Sequence, residues 1–412
     1  MRTLLLCLAC LGLVDCGFGA AEAPPGGLKL LLLPTIQYAH EDIWNKTPSE
    51  RGPQFAVVGQ VVRDQPVHIL VSASQFSLGA DGLAEVNYRL TFIRPDGTAG
   101  KSMEALKLIP RTTGQDPHYI HEAVDQAAFA IGQSDPLGTW RVVVDATDVI
   151  SGATVRTEKS LTVCGDELLQ EPLPPGTDQS HWLMNYHNVP VPQQLFAALR
   201  AIAEHPPANA PPTRDEENGA WLGFFEQVLA DNPWLLPHMV ARLGQAQGRE
   251  RELLATSLAY AKRDEPAFFQ TLPDKAREAF MPHRLQSWPT PTAEPLSGTQ
   301  LDVLWGRFFA SGRYAPIREL VAVLAYYPYK DALAEFQKQK KKPARLPIEV
   351  QKSIMFNVVA WSLRGNIQQD KVVRDYCEGM LLRKELPAAE HPWLAGIFQA
   401  AVKNPPKGNH AP

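Results

Sequence analysis

The chain has 412 residues, 45% hydrophobic and 20% charged, with a formal net charge of −4. That apolar share excludes global disorder, and the small negative charge excludes a nucleic-acid footprint spread over the whole surface. The length suits two or three domains. Of five cysteines, only Cys164 and Cys377 lie beyond residue 16, which excludes a disulfide-stapled mini-scaffold.

Met1-Arg2-Thr3 gives a short positive start, Leu4 to Val14 is an unbroken apolar run, and Gly17-Phe18-Gly19-Ala20-Ala21-Glu22-Ala23 supplies small residues. That order is the order of a signal peptide. A helix crossing a bilayer needs roughly 20 apolar residues, so the run is too short for an anchor. Residues 1–21 are therefore expected to be removed after Ala21, leaving a periplasmic or extracellular protein with no transmembrane segment. A competing reading makes Cys16 a lipid-bearing first residue, because Leu13-Val14-Asp15-Cys16 resembles a lipobox with Asp15 in place of its small residue.

Residues 28–164 carry period-two patterning. Val86, Tyr88, Leu90 and Phe92 alternate with polar residues, as do Trp140, Val142, Val144 and Ala146; Val67, Ile69, Val71 and Ala73 alternate less strictly. Such runs are strands with one buried face. Pro95-Asp96-Gly97 and Ser151-Gly152 are turn residues between strands. Asp135-Pro136-Leu137-Gly138-Thr139-Trp140-Arg141-Val142-Val143-Val144, then Asp148, Ser151-Gly152 and Ser160-Leu161-Thr162-Val163, resembles the last hairpin of bacterial immunoglobulin-like and macroglobulin-like domains. The resemblance implies an immunoglobulin-like antiparallel β-sandwich over about a third of the chain, and it speaks for fold rather than activity. The antibody-type cysteine pair and its tryptophan neighbour are absent.

A Pro-rich linker is expected over 165–190, and an all-helical array or irregular bundle over 191–404, with a disordered tail at 405–412. Trp221, Phe224, Phe225, Val228 and Leu229 form one helical stripe, and Asn232-Pro233 opens the next helix, with Leu236, Met239, Val240 and Leu243. Thr299 and Asp302 read as a capping box for a helix with Leu301, Leu304, Trp305 and Phe308, stopped at Gly312. Pro316 starts another helix, Pro347 a longer one through Ile354, Val358 and Trp361, and Val372–Leu382 a further one. No fixed repeat period emerges. The Trp305–Gly312 and Trp361–Leu363 segments are similar to uncharacterised exported helical proteins. Trp305 and Trp361 are both expected to be buried packing anchors.

Several motifs invite a chemical reading. Gly97-Thr98-Ala99-Gly100-Lys101-Ser102 ends like a phosphate-binding loop, but Pro95 stands at the first glycine position and a hairpin turn is expected where that motif needs a helix N-terminus. His121-Glu122-Ala123-Val124-Asp125 comes close to a zinc-protease signature with Asp125 in place of the second histidine; His118, Asp116 and Glu122 are its possible companions. Gly-x-Ser-x-Gly and Ser-x-x-Lys are missing. Asp215, Glu216 and Glu217 suit the start of a helix. Lys338, Lys340, Lys341, Lys342 and Arg345 suit a helix end or an anionic contact. Cys164 and Cys377 are either two small buried residues or a bridge.

No catalytic, cofactor-binding or metal-ligating residue and no cofactor is assigned. The expectation is a non-enzymatic binding or scaffold protein of the bacterial envelope, with another envelope protein or a polysaccharide as partner and no nucleic acid. The alternative is a hydrolase with its site in the helical domain, which a cleft gathering His181, His187, His238 or His283 with carboxylates would favour. A broad apolar or aromatic groove would favour binding.

Overall fold

The computed structural model describes residues 13–15, 27–174, 176–204, 219–262, 265–278, 296–338 and 346–403. Of the expected leader, residues 1–12 and 16–21 lie outside that set, as does the tail. The chain is a mixed α and β multidomain protein whose two compact units both draw on separate stretches of sequence. One unit comprises residues 1–37, 54–172 and 189–197; the other comprises 38–53, 173–188 and 198–412.

This division differs from continuous domains at 28–164 and 191–404. Residues 38–53 join the helical unit because they carry a helix, α1 (His40–Lys46), that buries His40 and Ile43. Seven residues are too few for a periodic signal. The expected linker is only partly exposed. Residues Asp166–Gln170 form a 3-10 turn burying Leu168 and Leu169, and α2 (Gln179–Asn185) starts at Asp178, whose carboxylate accepts from the backbone N–H of Ser180 and His181. Tyr186 and His187 follow, both buried.

The sheet unit contains β1 (Leu13–Asp15), β2 (Lys29–Thr35), β3 (Gln54–Ala56), β4 (Gln60–Val62), β5 (Val67–Ser74), β6 (Leu83–Ile93), β7 (Ala99–Thr113), β8 (His121–Glu122), β9 (Ala127–Phe129), β10 (Gly138–Asp148) and β11 (Thr154–Cys164). Five strands run in the order β4-β11-β10-β6-β7, a second sheet in the order β2-β5-β8 with β9 also on β5, and β1 pairs with β3. All pairs are antiparallel except β4 with β11.

The alternation of β6 is the reason for its burial: Ala84, Val86, Tyr88, Leu90 and Phe92 turn inward. They meet Val142, Val144, Ala146, Leu161 and Val163 from their own sheet, and Val67, Ile69, Val71 and Ala73 from the other, in one apolar core. β5 alternates poorly because Leu70 and Ser72 on its other side are buried too. The Pro136-Leu137-Gly138-Thr139-Trp140 turn has a local cause: Gly138 takes φ +121°, where a side chain would also press on Pro95, and the Trp140 indole N–H donates to the Pro136 carbonyl at 3.0 Å. Edge strand β7 carries Lys101, Lys107 and Pro110 and shifts register against β6, features that discourage strand addition.

In the helical unit, α3 (Leu195–Glu204), which begins at the unit boundary, is followed by α4 (Gly219–Asp231), α5 (Leu236–Leu243), α6 (Gly248–Ala261), α7 (Gly298–Ser311), α8 (Tyr314–Ala322), α9 (Ala332–Gln337), α10 (Ile348–Gln369), α11 (Lys371–Leu382) and α12 (His391–Lys403). α4 and α7 touch backbone to backbone. A Cβ on Gly223 would stand 2.2 Å from the Val303 carbonyl oxygen, and one on Gly306 would stand 2.0 Å from that of Ala220. The same pair of helices is tied by Arg307, which donates to both carboxylate oxygens of Glu226 at 2.8 and 3.1 Å.

Cap details differ from the sequence reading. Ser297 and Gln300 form the capping box of α7, not Thr299 and Asp302, while Gly312 does end that helix, in the left-handed region at φ +71°. Asn232 bonds to the Val228 carbonyl and the Trp234 indole instead of capping, and a 3-10 turn, Pro233–Leu235, precedes α5. Trp305 is buried, but Trp361 is 79% exposed. The expected burial of Trp361 is thus overturned: α10 has two apolar seams, and the one that faces inward carries Ser353, Phe356, Val359, Leu363 and Ile367.

Candidate binding surface

Among the described residues of the helical unit, Trp361 on the outward seam of α10 is the most exposed large apolar side chain. Ile354, Val358, Trp361 and Gly365 are spaced four, three and four apart, which lays them along one side of a helix. Val358 is 41% and Trp361 79% exposed, and nothing stands within 4 Å of a Cβ built on Gly365. The helix is fixed on both flanks. On one, the Trp305 indole donates to the Ser362 hydroxyl at 3.3 Å. On the other, the Asn357 amide donates to the carbonyls of Ser353 and Lys330, and the Ser353 hydroxyl donates to Lys330.

An aromatic group lies along another side of α10. Residues Val323–Tyr329 form a 3-10 segment, from which Tyr327 stacks on Trp393 of α12 and meets Phe356 edge-on. The Lys352 ammonium sits 5.2 Å from the Tyr326 ring and 5.1 Å from that of Tyr329, a distance at which the ring quadrupole attracts a cation. These tyrosines are half-buried and engaged, so they hold the helix; Trp361 is the ring left to solvent.

Deeper in the helical unit, polar groups are buried. His187 Nε2 lies 2.9 Å from Asp370 Oδ2, and the imidazole packs against Phe308 and Phe309. Burial pushes the Asp370 carboxyl up, but His187 and the N–H groups at the start of α11 outweigh it and hold it below the usual range. Tyr376 donates to the Gly312 carbonyl beside them, at 2.7 Å. Asp231 pairs with Arg313 at 2.6 Å, and burial raises its carboxyl pKa; burial also raises the phenol of Tyr186, with Tyr38 and Asp231 adding to the rise. α1 joins this framework: Asp42 accepts from the Tyr314 N–H, Arg383 donates to the Lys46 carbonyl, and Arg51 pairs with Asp375 and Glu378.

The other sequence candidates are scattered. Gly97 to Ser102 lies on the β6–β7 hairpin, closed by the Arg94 N–H donating to the Thr98 carbonyl. His121 and Glu122 are a two-residue strand, and Asp125 accepts from the Lys107 N–H. His181 is exposed at the start of α2, His187 is buried, and His238 is half-buried near Trp234; His283 lies outside the described residues. Asp215, Glu216, Glu217, Lys340, Lys341, Lys342 and Arg345 lie outside them as well, while Lys338 is exposed. Cys377 is a free thiol that burial pushes up to about 12, which leaves it unreactive. Among the described residues, no group of three or more His, Cys, Asp or Glu could hold a metal ion, and no helix is long and apolar enough to cross a membrane.

No family model matches this chain, and no curated protein matches it. Several solved structures show slight likeness, among them these three. The sporulation control protein Spo0M from Bacillus subtilis is 12% identical at TM-score 0.22, over 35% of this chain and 54% of that one. A family 123 glycoside hydrolase from Clostridium perfringens is 11% identical at TM-score 0.21, over 43% and 35%, and a structure titled pT26-6p is 10% identical at TM-score 0.19, over 82% and 49%. The chain thus spans between about a third and about half of those proteins, and scores near 0.2 define no shared fold.

Proposed function

We propose that this chain is an exported, non-enzymatic binding protein of the bacterial envelope, with an immunoglobulin-like sandwich in its sheet unit and a protein partner on the outward seam of α10. The observation that carries the reading is the 79% exposure of Trp361 between Val358 and Gly365. Tryptophan is enriched at the energetic centres of protein interfaces, whereas an exposed tryptophan adds nothing to the stability of a monomer. A polysaccharide is the weaker partner, because Ile354, Val358 and Gly365 in line with the ring offer no hydrogen-bonding side chain to sugar hydroxyls, and Asn357 and Arg364 stand only on the flank. The leader supports export.

Two measurements test the reading. N-terminal sequencing of material recovered outside the cytoplasm should begin at Glu22; an intact Met1 or a lipid on Cys16 overturns that part. A photo-crosslinker at Gln351, beside the seam, should capture a protein from envelope extract, and Trp361→Ala should abolish the adduct. An adduct undiminished by Trp361→Ala overturns the seam as the recognition surface.

A further inference from the structure

We propose that the partner segment is an amphipathic helix with acidic flanks that packs along α10. This rests on the binding reading above and names the chemistry of its partner.

The spacing is the first argument. Four-three-four is the spacing by which one helix presents a continuous seam to another, since 3.5 residues per turn keeps such positions facing a partner helix. A strand presents side chains every second residue and would match one or two of these positions before drifting off. The seam from Ile354 to Gly365 runs for roughly 17 Å of the helix, a little under two heptads of contact. Gly365 leaves the seam low beyond Trp361, so a bulky apolar side chain of the partner finds room against the indole.

Charge is the second argument. After Glu349 in its first turn, α10 contains no aspartate or glutamate. Arg364 is exposed on the flank of the seam, and the other exposed flanking groups are the neutral Asn357 and Gln369. A partner helix with a carboxylate beside its apolar seam finds its counter-charge at Arg364, and one with lysines there meets a like charge.

The test uses the full-length mature protein and two synthetic probes of about three heptads, both with leucine along the seam, one flanked by glutamate and the other by lysine. Fluorescence anisotropy of the labelled probes should show the glutamate peptide binding at least about tenfold more tightly than the lysine peptide. Trp361→Ala and Val358→Lys should each weaken it by about tenfold or more, as interface hot spots do. Equal binding of both peptides, or binding untouched by the two substitutions, overturns the proposal. So does a dimer of the free protein that Trp361→Ala converts to monomer, which would make a second copy the occupant. If the envelope adduct is lost in Trp361→Ala but neither peptide binds, the binding function stands and the helical partner falls. If the adduct survives, both fall.

Discussion

The sheet unit keeps its ion pairs at the surface, and the helical unit buries several charged groups. On the sheet, Asp145 pairs with Arg89 and Arg156, and Arg141 with Glu158, between side chains that are mostly well exposed. Below them lies one apolar core. In the helical unit, His187, Asp370, Asp231 and Tyr186 are buried beside apolar rings, and α4 meets α7 through glycine. Exposed ion pairs contribute little, whereas a buried charge that loses its partner is costly. The first unit should therefore tolerate the loss of an ion pair, and the second should not.

The sharpest break is His187→Ala. It leaves the buried Asp370 carboxylate without its imidazole partner and should cost about 3–5 kcal/mol, read by urea denaturation of the full-length protein. The depressed Asp370 carboxyl adds stability above the ordinary carboxylate range, and this is lost as pH falls through its own lower pKa. Wild type should thus weaken in acid along a limb that His187→Ala lacks; matching acid limbs would remove the pair from the account. Trp305→Ala should cost about as much, roughly 3–5 kcal/mol, through the cavity left in the core. Trp361→Ala should stay within about 0.5 kcal/mol in the same measurement.

Gly306→Ala forces a methyl group against the Ala220 carbonyl and should cost about 1–3 kcal/mol, or more if the helices cannot part. In the sheet unit, buried Asp148 accepts from the N–H groups of Ser77, Ile150 and Ser151 and from the Ser151 hydroxyl. Asp148→Ala should cost about 1–3 kcal/mol by stranding those donors. Arg141→Ala, on the exposed pair, should change stability by less than about 0.5 kcal/mol. A larger effect there would erase the contrast between the units.

The strands were legible where one face is wet. β6 and β10 show their inward residues directly, while β5, covered on both sides, shows only a blurred version. Helices were legible from stripes and stops, including Gly312. What sequence could not decide was which of two seams on α10 faces inward; the larger tryptophan drew the choice, but the modest Ser353 and Val359 fill the interior. His187 stood among four histidines named from the sequence, but nothing there paired it with Asp370, because it lies between short elements without a period. The close approach of α4 did leave a trace, the four-residue spacing of Gly219 and Gly223, a pattern that permits tight helix contact.

The excursion of residues 38–53 has a consequence for the order of events during synthesis. Lys46 meets Glu385 across a sequence separation of 339 residues. At a synthesis rate of roughly 5–20 residues per second, α1 is made about 20–70 seconds before the residues that receive it. Through that interval the segment has no seat, and pairings so distant along the chain form slowly. A newly made chain of this protein therefore carries its first helix as an open claim until almost the last hundred residues have been made.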